Sequence, residues 1–202
     1  MKLYYTPGAC SLAPHIALRE AGLSFDLVKT DIKAKKTEDG GDFTAVNPKG
    51  YVPALRLDNG DVLTENGAIL QYVGDRNPAA KILPAAGTME RYRVIEWVSF
   101  VNSEIHKGFS PLFYPDSTAD VKAYARGHLS RRLGWLNGAL GSKKYLTGEQ
   151  FTVADGYLFV VLNWGAHVGV DIGQWPNLKR LQETVGARPH VLEALKAEGL
   201  IQ

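Results

Sequence analysis

The feature that most limits what this chain can fold into is a change of pattern near residue 80. Before it, short strand-like runs alternate with helix-like ones; beyond it, no convincing strand can be read. Lys2-Leu3-Tyr4-Tyr5 reads as a strand that Thr6-Pro7-Gly8 breaks. Residues 11–21 read as a helix: Ser11 can cap it, Pro14 is tolerated in the first turn, Leu12 and Ile16 share a face, and Gly22 stops it. Strands are expected at 24–28, 54–57 and 61–63. The last two are joined through Asp58-Asn59-Gly60, and Asn-Gly is the strongest short hairpin signal a sequence carries. Residues 64–74 close the unit as a helix. The predicted order is β-α-β, a loosely structured stretch, then β-β-α.

Residues 77–87 carry Pro78, Pro84 and Gly87 and read as a linker. A long amphipathic helix follows over about 88–109. Ser117-Thr118-Ala119-Asp120 resembles a capping box and opens a helix to about Leu140. Thr152-Val153-Ala154-Asp155 is a second box, opening an apolar helix over about 156–167 that should form the core of this half. Shorter helices are predicted near 177–186 and 190–197. The expected fold class is therefore α/β plus all-α, with domains at 1–76 and 88–202 on either side of the linker.

Composition narrows the class further. With 202 residues, 45% hydrophobic and 22% charged, the chain can bury a real core. A net charge of +2 is too mild for a nucleic-acid binder, which usually carries a concentrated basic stripe. The single cysteine, Cys10, excludes an internal disulfide and makes a reducing compartment the default. No apolar segment follows Lys2 as in a signal peptide, and the longest apolar stretch, Tyr157 to Leu162, falls far short of the ~20 residues of a membrane span. A cytoplasmic protein with neither a nucleic-acid nor a membrane partner is expected.

Three places in the first half carry candidate chemistry. Cys10 lies between a strand end and a helix start, where N–H groups and the helix dipole stabilise a thiolate; a lone cysteine is also commonly a small buried hydrophobe. Cys10-Ser11-Leu12-Ala13 is not Cys-x-x-Cys, so dithiol exchange has no resolving partner within the chain. Val52-Pro53 precedes a strand. A cis bond there would turn the Val52 backbone outward to pair with an extended ligand, whereas a trans proline would simply start the strand. Thr64-Glu65-Asn66 opens a helix. Its amides favour a carboxylate and Glu65 suits an ammonium group, although acidic residues are common in a first turn without any ligand. Together the three would accommodate an extended peptide with a central thiol. In the second half, Ser99, Asn102, Ser103 and His106 share one helical face. That polar, nearly uncharged stripe suits a half-buried cleft wall, or an ordinary hydrogen-bonded helix contact.

With the helical second half, these elements resemble the glutathione transferases over essentially the whole chain. Tyr4-Tyr5-Thr6-Pro7-Gly8-Ala9-Cys10-Ser11 is similar to the bacterial beta class, whose characteristic cysteine matches Cys10. The resemblance implies a thioredoxin-like N-terminal domain that binds glutathione as co-substrate, a helical-bundle C-terminal domain, a homodimer, and no metal or resident cofactor. It implies that Val52, beside Pro53, binds the cysteinyl part of glutathione, that Glu65 and Asn66 hold the γ-glutamyl head, and that Lys35 reaches the glycyl carboxylate. It brings His106 close to the thiol site as a second catalytic residue. It assigns Ser103 and Glu104 to a stretch contacting glutathione, partly across the dimer; Ser99 stands where many relatives have Asn. The capping box at Thr152 is implied to be a folding element. Tyr5 and Ser11 resemble the catalytic tyrosine and serine of other classes and rank below Cys10.

The implied reaction is attack of a glutathione thiolate on a small hydrophobic electrophile in a pocket between the domains, with Phe109, Phe113, Tyr114 and Trp164 as lining candidates that core packing explains equally well. Cys10 adds the possibility of disulfide exchange or reductive dehalogenation, with glutathione as resolving thiol. The rival reading is a non-catalytic binding or regulatory protein on the same fold.

Overall fold

A computed structural model describes all 202 residues, Met1–Gln202. The chain divides into two compact units, 1–85 with 188–202, and 86–187. The C-terminal segment assigned from sequence to the helical domain thus belongs structurally with the first unit.

The first unit is built on β1 (Lys2–Tyr5), α1 (Leu12–Glu20), β2 (Asp26–Asp31), β3 (Lys36–Thr37), β4 (Ala54–Arg56), β5 (Val62–Thr64) and α2 (Asn66–Arg76). The sheet order is β3-β2-β1-β4-β5. β1 runs parallel to β2 and antiparallel to β4, and both β2/β3 and β4/β5 are antiparallel. β1 is buried on both faces because it is the central strand. Tyr4, paired with Ala54, packs with Phe43 and Val52 on one face, while Leu3, paired with Leu55, points to the other by strand alternation. β3 and the 3₁₀ turn Phe43–Ala45 fall in the stretch read as loosely structured. Phe43 is fully buried, and Asp42 caps its turn by accepting from the Thr44 N–H. The Asn-Gly signal marks a wider loop than a two-residue hairpin: Leu57 N–H bonds to Asp61 C=O, with Gly60 in the left-handed region.

The helix α9 (Pro189–Ala197) packs on α1. It ends in a Schellman motif, with the Leu200 N–H on Leu195 C=O and the Gly199 N–H on Lys196 C=O. Gly199, at φ 71, is the residue that makes this reversal possible without a Cβ clash. Arg188 completes the attachment through a two-pronged pair with Glu20 at 2.6 and 2.7 Å.

The second unit is wholly helical. A continuous helical run consists of α3 (Met89–Phe100), a π-helical segment (Val101–His106) and α4 (Lys107–Phe113). It is followed by α5 (Ala119–Leu140), α6 (Val153–Asn163), α7 (Gly165–Val168) and α8 (Pro176–Gly186). Thr118, not Ser117, caps α5, accepting from the Val121 N–H. Every residue of α6 from Val153 to Leu162 is buried, as befits a helix apolar on all sides. Its start is fixed by Asp155, which accepts from the N–H and hydroxyl of Thr152 (both 2.8 Å) and from the Leu146 N–H (2.7 Å). No helix is long and apolar enough to cross a membrane.

Candidate active site

The loop between β1 and α1 carries Cys10, the one cysteine, half-buried and not in a disulfide. Its Sγ donates to the carbonyl of Val52 at 3.3 Å, and the Val52–Pro53 bond is cis. The Asn66 amide, at the first turn of α2, donates to the Cys10 carbonyl at 3.2 Å. Two sequence segments more than 40 residues downstream thus converge on Cys10. The Leu12 and Ala13 N–H groups bond to the Ala9 and Cys10 carbonyls, closing the turn onto itself. Ser11 does not cap α1: its buried hydroxyl accepts from the Thr6 N–H (3.1 Å) and donates to the Thr6 carbonyl (3.3 Å). That pair of bonds clips the two ends of the Cys10 loop together.

A second tie comes from the far end of the chain. Glu198 reaches back with one carboxylate oxygen accepting from the Gly8 N–H (2.9 Å) and the other facing His15 Nδ1 (2.8 Å). Arg19 Nε donates to His15 Nε2 at 2.9 Å. Because a guanidinium is only ever a donor, Nε2 must be the accepting nitrogen and Nδ1 carries the proton given to Glu198. Both His15 and Glu198 side chains are fully buried. Neither residue stands out locally in the sequence, since their spacing of 183 positions gives no periodic signal.

Glu65 departs from the helical region, at φ 71 and ψ 127, just before α2. Its carboxylate pairs with the Lys49 ammonium and accepts from the Tyr51 hydroxyl at 3.0 Å. The Glu65 hydrogen bond raises the Lys49 pKa above the ordinary lysine value. Tyr51 is pushed up first by desolvation, then by its bond to Glu65. Lys35, itself at φ 58, lays its ammonium on the Gly50 carbonyl at 2.6 Å. Lys35 therefore sets a positive charge beside the Gly50–Pro53 segment, a suitable setting for a carboxylate-bearing peptide, while the Lys49 charge is matched by Glu65. Lys49 and Tyr51 were not singled out in the sequence. Tyr5 is buried, and desolvation followed by the charges of Glu198 and Glu38 raises its pKa. Its phenol keeps its proton and belongs to the core.

In the second unit the polar stripe splits in two. Ser99 and Ser103 are exposed, with the Ser103 hydroxyl donating to the Ser99 carbonyl at 3.0 Å, so neither lines a half-buried wall. The expectation of one shared face assumed α-helical spacing, and residues 101–106 are π-helical. Glu104 is held by Arg132 Nε at 2.6 Å, with His128 Nε2 at 3.7 Å. Asn102 and His106 instead turn to Tyr157 on α6: its hydroxyl donates to Asn102 Oδ1 (2.9 Å) and lies 2.6 Å from His106 Nδ1. The His106 ring stands steeply against Trp164, with centroids 4.8 Å apart. Phe109 and Phe113 also pack on Trp164, while Tyr114 is exposed. No group of three or more His, Cys, Asp or Glu side chains comes together to hold a metal ion.

A small mixed sheet with a thiol against a cis-proline segment defines a thioredoxin-like domain, here in the same chain as an all-helical unit. The family described as glutathione S-transferase, N-terminal domain, matches residues 1–75, and glutathione S-transferase, C-terminal domain, matches residues 100–189. Glutathione S-transferase GstA of Escherichia coli O157:H7 is 46% identical over 200 residues, covering 99% of this chain and all of that one. Among solved structures, the bacterial beta-class glutathione S-transferase of Sphingomonas chungbukensis is 53% identical, with a TM-score of 0.96 and full coverage of both chains. A sphingomonad glutathione S-transferase complexed with glutathione is 50% identical, again with a TM-score of 0.96 over both full chains. The chain belongs to the glutathione S-transferase family, and its likeness runs to the bacterial beta class.

Proposed function

We propose that this glutathione transferase joins the thiolate of glutathione to an electrophilic carbon of a small hydrophobic compound. The observation that carries the reading is the Cys10 sulfur seated on the Val52 carbonyl, which brings a thiol and a peptide-pairing backbone segment into one place. Glutathione lies extended along that segment. The Val52 backbone, next to Pro53, takes its cysteinyl part, Lys35 its glycyl carboxylate, and Glu65 with Asn66 its γ-glutamyl head. Lys49 and Tyr51 occupy the Glu65 carboxylate in the chain alone, so the incoming ammonium competes with them. Cys10 and His106 serve as the catalytic pair, Ser99, Ser103 and Glu104 assist binding, and the chain works as a cytoplasmic homodimer.

Cys10 supports a second activity on the same site. Its thiolate attacks a glutathione-containing disulfide, one thiol leaves as thiolate, and a second glutathione resolves the mixed disulfide and restores Cys10. The test is Cys10→Ala assayed for both reactions. Disulfide exchange should vanish while conjugation falls by about tenfold or less, since orientation of the bound thiol survives. Complete loss of conjugation with glutathione binding intact would overturn this division of labour.

A further inference from the structure

The contact between Tyr157 and His106 defines a proton arrangement that the sequence pattern did not reveal. Tyr157 is fully buried in α6, so its hydroxyl must find partners inside the protein. It has one proton to give, and Asn102 Oδ1 receives it at 2.9 Å. The hydroxyl oxygen then meets His106 Nδ1 at 2.6 Å as an acceptor, which requires a proton on Nδ1. In the neutral ring the lone pair consequently falls on Nε2. The ring plane is fixed from two sides, nearly perpendicular to Tyr157 at 88° and steep to Trp164 at 74°. Asn102 and His106 lie four positions apart, both inside the π-helical segment Val101–His106. Such segments are a rare departure from α-helix and often mark functional positions.

We infer that Tyr157 and Asn102 are positioning residues which hold His106 with its proton on Nδ1, so that Nε2 is the nitrogen that takes a proton during transfer. This rests on the reading of His106 as a catalytic residue of a glutathione transferase. In the step concerned, the S–H bond of glutathione breaks as an N–H bond forms at Nε2. The electron pair stays on sulfur as the thiolate, and the resulting imidazolium is steadied by Tyr157, which goes on accepting from Nδ1–H. The proton later neutralises the departing group or passes to water.

The assignment is tested by long-range proton–nitrogen correlation spectra of ligand-free protein labelled with ¹⁵N-histidine, with His106 identified by its loss in His106→Gln. Wild type should show the Nδ1-protonated form. Asn102→Leu removes the acceptor and frees the Tyr157 proton to turn to Nδ1, so the ring should shift to the Nε2-protonated form. Asn102→Asp, which can only accept, should keep the proton on Nδ1. Tyr157→Phe preserves the packing volume and should leave a mixture of the two forms. In the conjugation assay, Tyr157→Phe and Asn102→Leu should lower kcat by roughly tenfold to a hundredfold, a part of the ~10²–10⁴ that proton transfer by a placed side chain contributes, with KM for glutathione changed by less than about twofold. An Nε2 proton in wild type overturns the assignment, as do spectra identical across the variants. If the spectra behave as stated but kcat does not fall, the positioning role in catalysis is wrong. Absence of glutathione binding by folded wild type would instead remove the transferase reading, which the spectra do not depend on.

Discussion

Asp155 is the residue whose environment most clearly overrides its intrinsic chemistry. Burial pushes its carboxyl from 3.8 up to about 6, against the three hydrogen bonds it accepts, which pull the other way. The folded chain therefore holds this proton more tightly than the unfolded chain does. Its contribution to stability is fully present below about 3.8 and is lost as pH rises through about 6. With Asp155→Asn the titration disappears, and so do two of the bonds to Thr152. Denaturant unfolding should find the variant less stable, with the wild-type advantage widening by on the order of 3 kcal/mol as pH falls from about 7 to about 4. A gap independent of pH would show that the carboxyl titrates normally. At this scale the sequence was partly legible. The box at Thr152 was readable because its partners lie three positions apart. The Ser11 hydroxyl was not, because the chain folds back on Thr6 and offers it a nearer partner than the helix amides.

Among the elements, α8 and α9 begin one residue before the predicted starts at 177 and 190, each with a proline in its first position. β3 and the turn at Phe43 escaped because a two-residue strand carries no period to detect. The π-helical segment escaped for the opposite reason: its pattern is readable, but with the wrong pitch, which joined Ser99 and Ser103 to Asn102 and His106 on a face they do not share. The attachment of α9 to the first unit rests on long-range pairs that local patterns cannot express. Glu198→Ala tests that attachment. It removes the acceptor of the half-buried Gly8 N–H and strands the buried His15 Nδ1–H, a loss of about 1–3 kcal/mol for the buried donor. The urea midpoint should drop accordingly with the slope unchanged, and the Gly8 amide should exchange with solvent faster than in wild type. An unchanged Gly8 exchange rate would mean that the Cys10 loop is held without Glu198.

For the molecule as a whole, the two halves and the thiol site were readable because each rests on a strong local signal: alternation before residue 80, helical period after it, and cysteine, proline and acidic positions at the ends of elements. What joined those signals into one site was the fold. It alone brings Val52 and Asn66 to Cys10, and it adds Lys49 and Tyr51 at Glu65. The central claim is that this site binds glutathione. Calorimetric titration of the reduced protein with reduced glutathione, on wild type and on Cys10→Ala, tests it most directly. Saturable binding by both is predicted, because the Val52 backbone, Lys35 and Glu65 rather than the Cys10 sulfur supply the affinity. No binding by either folded protein would contradict the account and favour a non-catalytic protein built on the transferase scaffold.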